Sequence, residues 1–557
     1  MRKKLLPLLV LSALACSTLL PTRPPSTDTP VPSTVTPPPT LTSAPLLPSE
    51  TSTPAPEPTL TLTPTACHLR LEDLTLHPGP QLYSGDIVSL GIKASTTDPK
   101  WAEAEVKVYV GSQATAPIAA GSFQPFGIGG QAQATFWWAW DTQGLKGEQT
   151  LIIVVEPKEG GDPSEVLEAP VRLLPVEARP MPEPLARWAK AESACCVFHY
   201  LTGTAAERDL KMITADADKA FERVESALGV QSKAKVPFTL LSRLLGHGGF
   251  AAGEISLTYI DRNPAGVNLP TVFAHEGTHI LDRHLPGPRP TIMTEGLAVF
   301  VAGGHYKPED LDRRAAALLA LGRYVPLKDL ANEFYPAQHE IGYLQGGALI
   351  KYLVDTYGWA QFKEFYSSFP AAPSEAQMLD GALRAHYDKS LSEVEADWLQ
   401  HLRTFPRDQG QMDDLRLTIQ LFDTLRRYQQ LNDPAAYYLT AWLPDGAEAR
   451  KRGIIADFVR APRAPENIAL EALLASAERA LITGQFDRAE TLLRSVNAVL
   501  NARNLFFDPL AAQYLRVVND LAAQGYEAQT IDVDGDHATV TAIHTWPTLE
   551  TFTLNSR

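Results

Sequence analysis

Leu269-Pro270-Thr271-Val272-Phe273-Ala274-His275-Glu276-Gly277-Thr278-His279 is the stretch on which the reading of this chain turns. Leu269 to Ala274 supply a helix start and an apolar face. On that helix His275 and His279 lie four positions apart, so their Cβ atoms stack about 5–6 Å from each other. Two imidazoles on one face can close on a single metal ion at about 2.0–2.1 Å. Glu276 stands beside the first histidine, where it can reach a water on that metal as a general base. With 13 histidines in 557 residues, a His-Glu-x-x-His match arises by accident in roughly one such chain in fifty, so the surroundings must decide.

Downstream, Thr294-Glu295-Gly296-Leu297-Ala298-Val299-Phe300 opens a second apolar helical run. The pair of segments resembles the gluzincin arrangement, which implies the Glu295 carboxylate as third ligand of one Zn2+ ion. Two His and one Glu leave a fourth position open, as catalytic zinc requires. The metzincin pattern fails, because Asp282 and Leu285 occupy positions where it needs Gly and His or Asp. Asp282 reads as a partner that orients a ligating histidine or as a plain solvent-facing residue. His284 reads as structural.

Residues from about 195 to 403 resemble the peptidase MA-like gluzincin domain of bacterial exported proteins. The landmarks are Tyr200 with Gly203, a helix ending Leu228-Gly229, the strand 254–260, the two segments above, and Gly342-Tyr343-Leu344-Gln345-Gly346-Gly347-Ala348. Tyr352-Leu353, Tyr357-Gly358 and Trp398 complete them. Ile292 and Met293 stand where that family usually has a Trp. The resemblance implies an α+β zinc metallopeptidase, a hydrolase that cleaves peptide bonds with a zinc-bound water and Glu276 as base. It also implies a Tyr or His that hydrogen-bonds the oxyanion; Tyr343 is the first candidate and His339 the second. The strand 254–260 resembles the edge strand that pairs with substrate backbone in this class. The alternative is a surface binding or scaffolding lipoprotein whose metal site is inactive or structural.

The flanks place that region in a modular chain. At 557 residues it exceeds one compact core, and three or four domains are expected. Residues 1–16 read as a lipoprotein signal peptide: Arg2, Lys3 and Lys4, then an apolar stretch to Leu14, with Ala13-Leu14-Ala15-Cys16 resembling the lipobox of bacterial lipoproteins; the alternative is an ordinary signal peptide cut near Ala15. Cleavage before Cys16 and acylation there would anchor the protein to the outer face of a bacterial membrane. Residues 17–66, rich in Thr, Pro and Ser, read as a disordered tether reaching on the order of 150 Å when extended. Residues 67–175 carry short strand-like runs separated by Gly, Pro, Asp and Ser, and read as an Ig-like β-sandwich. Their Trp137-Trp138-Ala139-Trp140 run suits a core, or a platform for carbohydrate or cell-envelope contact. Residues 176–190 read as a Pro-rich linker, 191–405 as the zinc peptidase domain, and 406–557 as a mostly helical region. That last region contains one tetratricopeptide-like helical hairpin at 477–493 and ends in a β-hairpin turning at Asp534-Gly535. A net charge of −15 without a basic stripe argues against a nucleic-acid partner. Cys67, Cys195 and Cys196 have no metal-binding spacing, and no disulfide is assigned among them.

Overall fold

The computed structural model describes residues 70–555 apart from 96–103, 127–130, 158–164, 244–248, 253, 264–267, 286, 306, 336–338, 437–444, 536 and 544–548. The signal segment 1–16, the tether 17–66 and Cys67 lie outside the described residues. The molecule is multidomain, with β-sheets dominating its N-terminal part and helices its C-terminal part.

The first region holds β1 (Arg70–His77), β2 (Leu82–Tyr83), β3 (Ile87–Ser95), β4 (Glu105–Val110), β5 (Ala119–Ser122), β6 (Gln124–Phe126), β7 (Gln131–Asp141), β8 (Gly147–Glu156) and β9 (Glu165–Leu174). They form two sheets, ordered β1-β3-β7-β6 and β2-β9-β8-β4-β5. Alternation along β3 and β4 and the continuous apolar run of β8 bury Leu90, Ile92, Val106, Val108, Leu151 and Ile153 in one core between the sheets. Trp140 belongs to that core, whereas Trp138 does not. The register of β7 against β3 breaks between Val88 and Leu90, and Trp138 takes a left-handed φ of 47° there. Such a bulge re-aims a side chain. Trp138 accordingly packs with Leu201, Leu241, Ala449 and Phe458 at the junction with the rest of the molecule.

The segment expected as a linker is built into the protein. Glu183 and Ala186 are buried, and Arg179 pairs with Asp86 at 3.3 Å. The middle sheet starts before residue 191, with β10 (Trp188–Glu192) beside β11 (Cys196–Leu201). After it come α1 (Ala205–Arg208), α2 (Leu210–Leu228), β12 (Val236–Leu241), β13 (Gly249–Ala252) and β14 (Glu254–Thr258). The order is β10-β11-β12-β14-β13, with β11, β12 and β14 parallel and the outer two antiparallel. Hence the expected edge strand at 254–260 is interior. β13, whose Gly-Phe-Ala-Ala carries little strand signal, is the edge. Cys195 and Cys196 are joined to each other by a disulfide at the start of β11, a pairing the sequence reading did not assign.

Helices α3 (Leu269–Asp282), α4 (Thr291–Ala302), α5 (Leu311–Ala320), α6 (Leu327–Asn332), α7 (His339–Tyr357), α8 (Trp359–Tyr366), α9 (Glu375–Tyr387) and α10 (Leu391–Leu402) complete the middle region around one core. Next come α11 (Gln409–Asn432), α12 (Gly446–Arg452), α13 (Ala456–Val459), α14 (Pro465–Ile482), α15 (Phe486–Asn501) and α16 (Pro509–Ala523). The chain ends in β15 (Glu527–Asp534), β16 (His537–Ile543) and β17 (Leu549–Asn555). The helical hairpin expected at 477–493 is α14 and α15, turning at Gly484. The terminal hairpin turns at Gly535, and β17 extends it to three antiparallel strands. Among the described residues no helix is long and apolar enough to cross a membrane.

Candidate metal centre

Helix α3 is buried along most of its length, its polar His275, Glu276, Thr278 and Asp282 included. Asn268 caps it, its side chain accepting from the Thr271 amide at 3.1 Å. Gly277, inside the His-Glu-x-x-His motif, is a packing residue. A Cβ there would stand 3.2 Å from the Phe221 ring of α2. Helix α4 crosses α7 as closely, since a Cβ on Gly296 would lie 2.6 Å from the Gly346 carbonyl oxygen. This close crossing sets the position of Glu295, and the Glu375 carboxylate holds the α4 N-terminus by accepting from the Thr291 amide at 2.6 Å.

These contacts bring three side chains together. His275 Nε2 and His279 Nε2 are 3.1 Å apart. Glu295 Oε2 stands 3.4 Å from the first and 3.2 Å from the second. Ligand atoms at about 2.0–2.1 Å around a tetrahedral zinc are spaced about 3.3–3.4 Å from each other, so the triangle fits such an ion. Among the described residues this is the cluster of His, Cys, Asp or Glu able to hold a metal. Glu295 Oε2 has no hydrogen-bond partner, while Oε1 accepts from the Tyr335 hydroxyl at 3.1 Å. The carboxylate is thus held from one side and open on the other.

The side chains also polarise one another. Burial lowers the His275 pKa to about 4. Burial works against charge on His279 as well, but the Glu295 carboxylate overrides it and raises the pKa to about 9. For Glu295, burial pushes upward, yet the positive charge on His279 holds it well below the usual carboxylate range. Burial raises Glu276 to about 7, with the His279 charge opposing. Glu276 Oε2 is buried without a partner, and its side chain lies against Gly249 of β13, the sheet edge. Arg283, just past α3, donates to the Ala251 carbonyl at 2.6 Å and ties that edge to the helix.

Tyr343 is buried against the cluster. Its ring is 5.9 Å from His275, 4.5 Å from His305 and 5.0 Å from Phe334, centroid to centroid. The His339 side chain lies outside the described residues. Asp282 fills neither of its expected roles: it is buried and pairs with Arg289 at 2.9 Å. His284 is exposed. Two neighbours escaped the sequence reading. His305 packs 6.1 Å from His275 and pairs with Glu340 at 3.1 Å. Burial opposes its charge, and the Glu340 carboxylate raises its pKa. The other is Tyr335, the partner of Glu295. Neither has a spacing that marks it; the Gly303-Gly304 pair that ends α4 and turns the chain to His305 was the available signal.

No family model and no curated protein matches the chain. Among solved structures it is similar to an Escherichia coli α2-macroglobulin fragment spanning domain MG7 to the C-terminus, at 12% identity and a TM-score of 0.13. That match covers 87% of this chain and 70% of the fragment. A Salmonella α2-macroglobulin reacted with methylamine matches at 12% and 0.13, over 88% of this chain and 29% of its own. Overlaps this poor carry no argument about fold or function.

Proposed function

We propose that the middle region is a gluzincin-type zinc peptidase, exported and lipid-anchored through Cys16, with an Ig-like β-sandwich as its N-terminal folded domain. The observation that carries this reading is the triangle of His275 Nε2, His279 Nε2 and Glu295 Oε2, with the buried, unpartnered Glu276 carboxylate beside it. A purely structural metal site has no need of such a base, which sets this reading above a binding protein with an inactive site.

His275, His279 and Glu295 would hold the ion, and Tyr335 would fix the Glu295 carboxylate. Zinc bound there would supply Lewis-acid polarisation of the scissile carbonyl and a lowered water pKa. Glu276 takes the proton from the attacking water and passes it to the leaving amine nitrogen as the C–N bond breaks. A raised pKa near neutrality suits a group that must both accept and return a proton. The Tyr343 hydroxyl is the candidate donor to the oxyanion. The open edge at β13, beside Glu276, is the element suited to pair with substrate backbone.

Digestion of a mixed peptide library by the zinc-loaded chain and by its Glu276→Gln variant tests the reading. The variant should keep its zinc and lose cleavage by about 10²–10⁴-fold. Cleavage by the variant at the parent rate removes Glu276 as the base. A parent chain that holds zinc and cuts nothing supports the binding-protein alternative.

A further inference from the structure

A second site lies apart from the metal centre. A cavity of ≈ 630 Å³ opens where the residue 181–185 segment, the middle sheet and the C-terminal region meet. Its position follows from topology. β11, β12 and β14 run parallel, and the residues just past their carboxyl ends line it: Gly203 and Thr204, Ser242 and Arg243, Tyr259 and Arg262. In open α/β sheets, ligands enter crevices beyond the carboxyl ends of the strands. The volume falls within the range of about 300–1,000 Å³ common for ligand pockets. His275, Glu276, His279 and Glu295 do not line it.

Most charged groups of the lining are already paired, and Arg463, the exposed one among them, has Glu527 at 3.7 Å. Arg243 pairs with Asp433 at 2.6 Å, Arg262 with Glu471 at 2.8 Å and with Glu527 at 2.9 Å, and Asp261 with Arg208 at 2.6 Å. A charged guest would have to displace a partner from one of these desolvated pairs, leaving a buried charge unpaired. Two lining side chains more than nine-tenths buried each keep one atom without a hydrogen-bond partner: Arg243 Nε, a donor, and Gln529 Oε1, an acceptor. Ser242 Oγ is a third such atom. An amide matches this set, its C=O accepting and its N–H donating. One part of the exposed lining is apolar, with Met181 54% exposed and Leu185 66% exposed.

We propose that this cavity binds a neutral peptide segment, its backbone amide meeting Arg243 and Gln529 and an apolar side chain covering Met181 and Leu185. The site stands whether or not the metal centre cleaves peptides, and its test is independent of cleavage.

The test uses the full chain carrying Glu276→Gln, titrated by calorimetry with N-acetylated, C-amidated tripeptides whose central residue is Leu, Lys or Glu. The Leu tripeptide should bind, with the Lys and Glu tripeptides weaker. Leu185→Asp alters an exposed side chain, so it should leave the melting temperature unchanged and weaken the Leu tripeptide about tenfold. Gln529→Leu, which removes the acceptor, should weaken it as well. No binding of the Leu tripeptide at millimolar concentration overturns the proposal. So does equal affinity in the Leu185→Asp chain, which would place the peptide elsewhere. So does selective binding of an N-acetylglucosamine disaccharide over the tripeptide.

Discussion

The metal centre and the junction around Arg460 both bury several charged groups, and they differ in how those groups are satisfied. Arg460 is enclosed, its side chain 1% exposed. It donates to Asp86 at 2.6 and 3.0 Å, to Glu183 at 2.9 and 2.6 Å and to the Gln81 carbonyl at 3.0 Å. The Tyr83 ring lies 4.7 Å from its guanidinium carbon. Every N–H of the fork has an acceptor, and those acceptors come from the N-terminal β-sheet region and the Pro-rich segment, whereas Arg460 itself belongs to the C-terminal region. At the candidate metal centre, by contrast, His275 Nδ1, Glu276 Oε2 and Glu295 Oε2 are buried without partners, while three side-chain atoms able to hold a metal crowd together. A buried charge by itself does not mark function. Complete satisfaction marks a structural joint, and convergent unsatisfied atoms mark a place for something the chain does not supply.

Substitutions on the two sides should therefore fail in different ways. After the loss of cleavage in Glu276→Gln, the next largest effect belongs to His279→Ala. Removing one of three ligands should lower zinc affinity by on the order of 10³-fold. Metal analysis showing full occupancy after dialysis would remove His279 from the ligand set. Arg460→Ala leaves the buried Asp86 and Glu183 with Arg179 as their one remaining ion-pair partner and should lower stability by about 3 kcal/mol. Urea unfolding would read this, with zinc content unchanged; loss of zinc without loss of stability would erase the distinction between the two regions. Tyr335→Phe releases the outer oxygen of Glu295 and should weaken zinc about tenfold. Unchanged affinity would make Tyr335 a bystander.

The smallest effect concerns a carboxylate at the junction that is only half satisfied. Asp457 Oδ2 accepts from the Trp138 indole at 2.9 Å, and Oδ1 has no partner. Burial raises its pKa to about 6 from 3.8, with the Trp138 hydrogen bond opposing. Between those values the folded state holds a proton that the unfolded state has released, so stability falls as pH rises through this window. Asp457→Asn keeps an acceptor for Trp138 and removes the charge. It should be more stable than the parent above pH 6 by about 1–2 kcal/mol and match it near pH 4. Parallel stability curves for the two chains from pH 4 to pH 8 would refute this.

Much of the middle region was legible because its signals are local. Helical periodicity puts His275 and His279 on one face within five residues, and the apolar run after Glu295 announces α4. The strands at 88–92, 106–110 and 236–241 declared themselves by β-branched composition. The edge strand β13 did not, because Gly249, Ala251 and Ala252 carry little strand propensity and the pairing with β14 makes them a strand. The Pro-rich segment read as a linker because composition cannot reveal that Glu183 has a partner 277 residues away.

The sequence by itself therefore determined that two histidines and a glutamate stand where they could share an ion, with a second glutamate placed as a base. The placing of the two histidines and of Glu276 follows from spacing along a single helix, whereas Glu295 as their companion rested on the resemblance to the gluzincin arrangement. The tertiary structure alone decided that the three candidate ligand atoms converge to within 3.4 Å, because that distance depends on the glycine contacts Gly277–Phe221 and Gly296–Gly346. It also decided that Tyr335 and His305 join the site, and that Arg460 locks distant segments together. Those pairings are set by three-dimensional closure across tens to hundreds of residues, and no local periodicity encodes them.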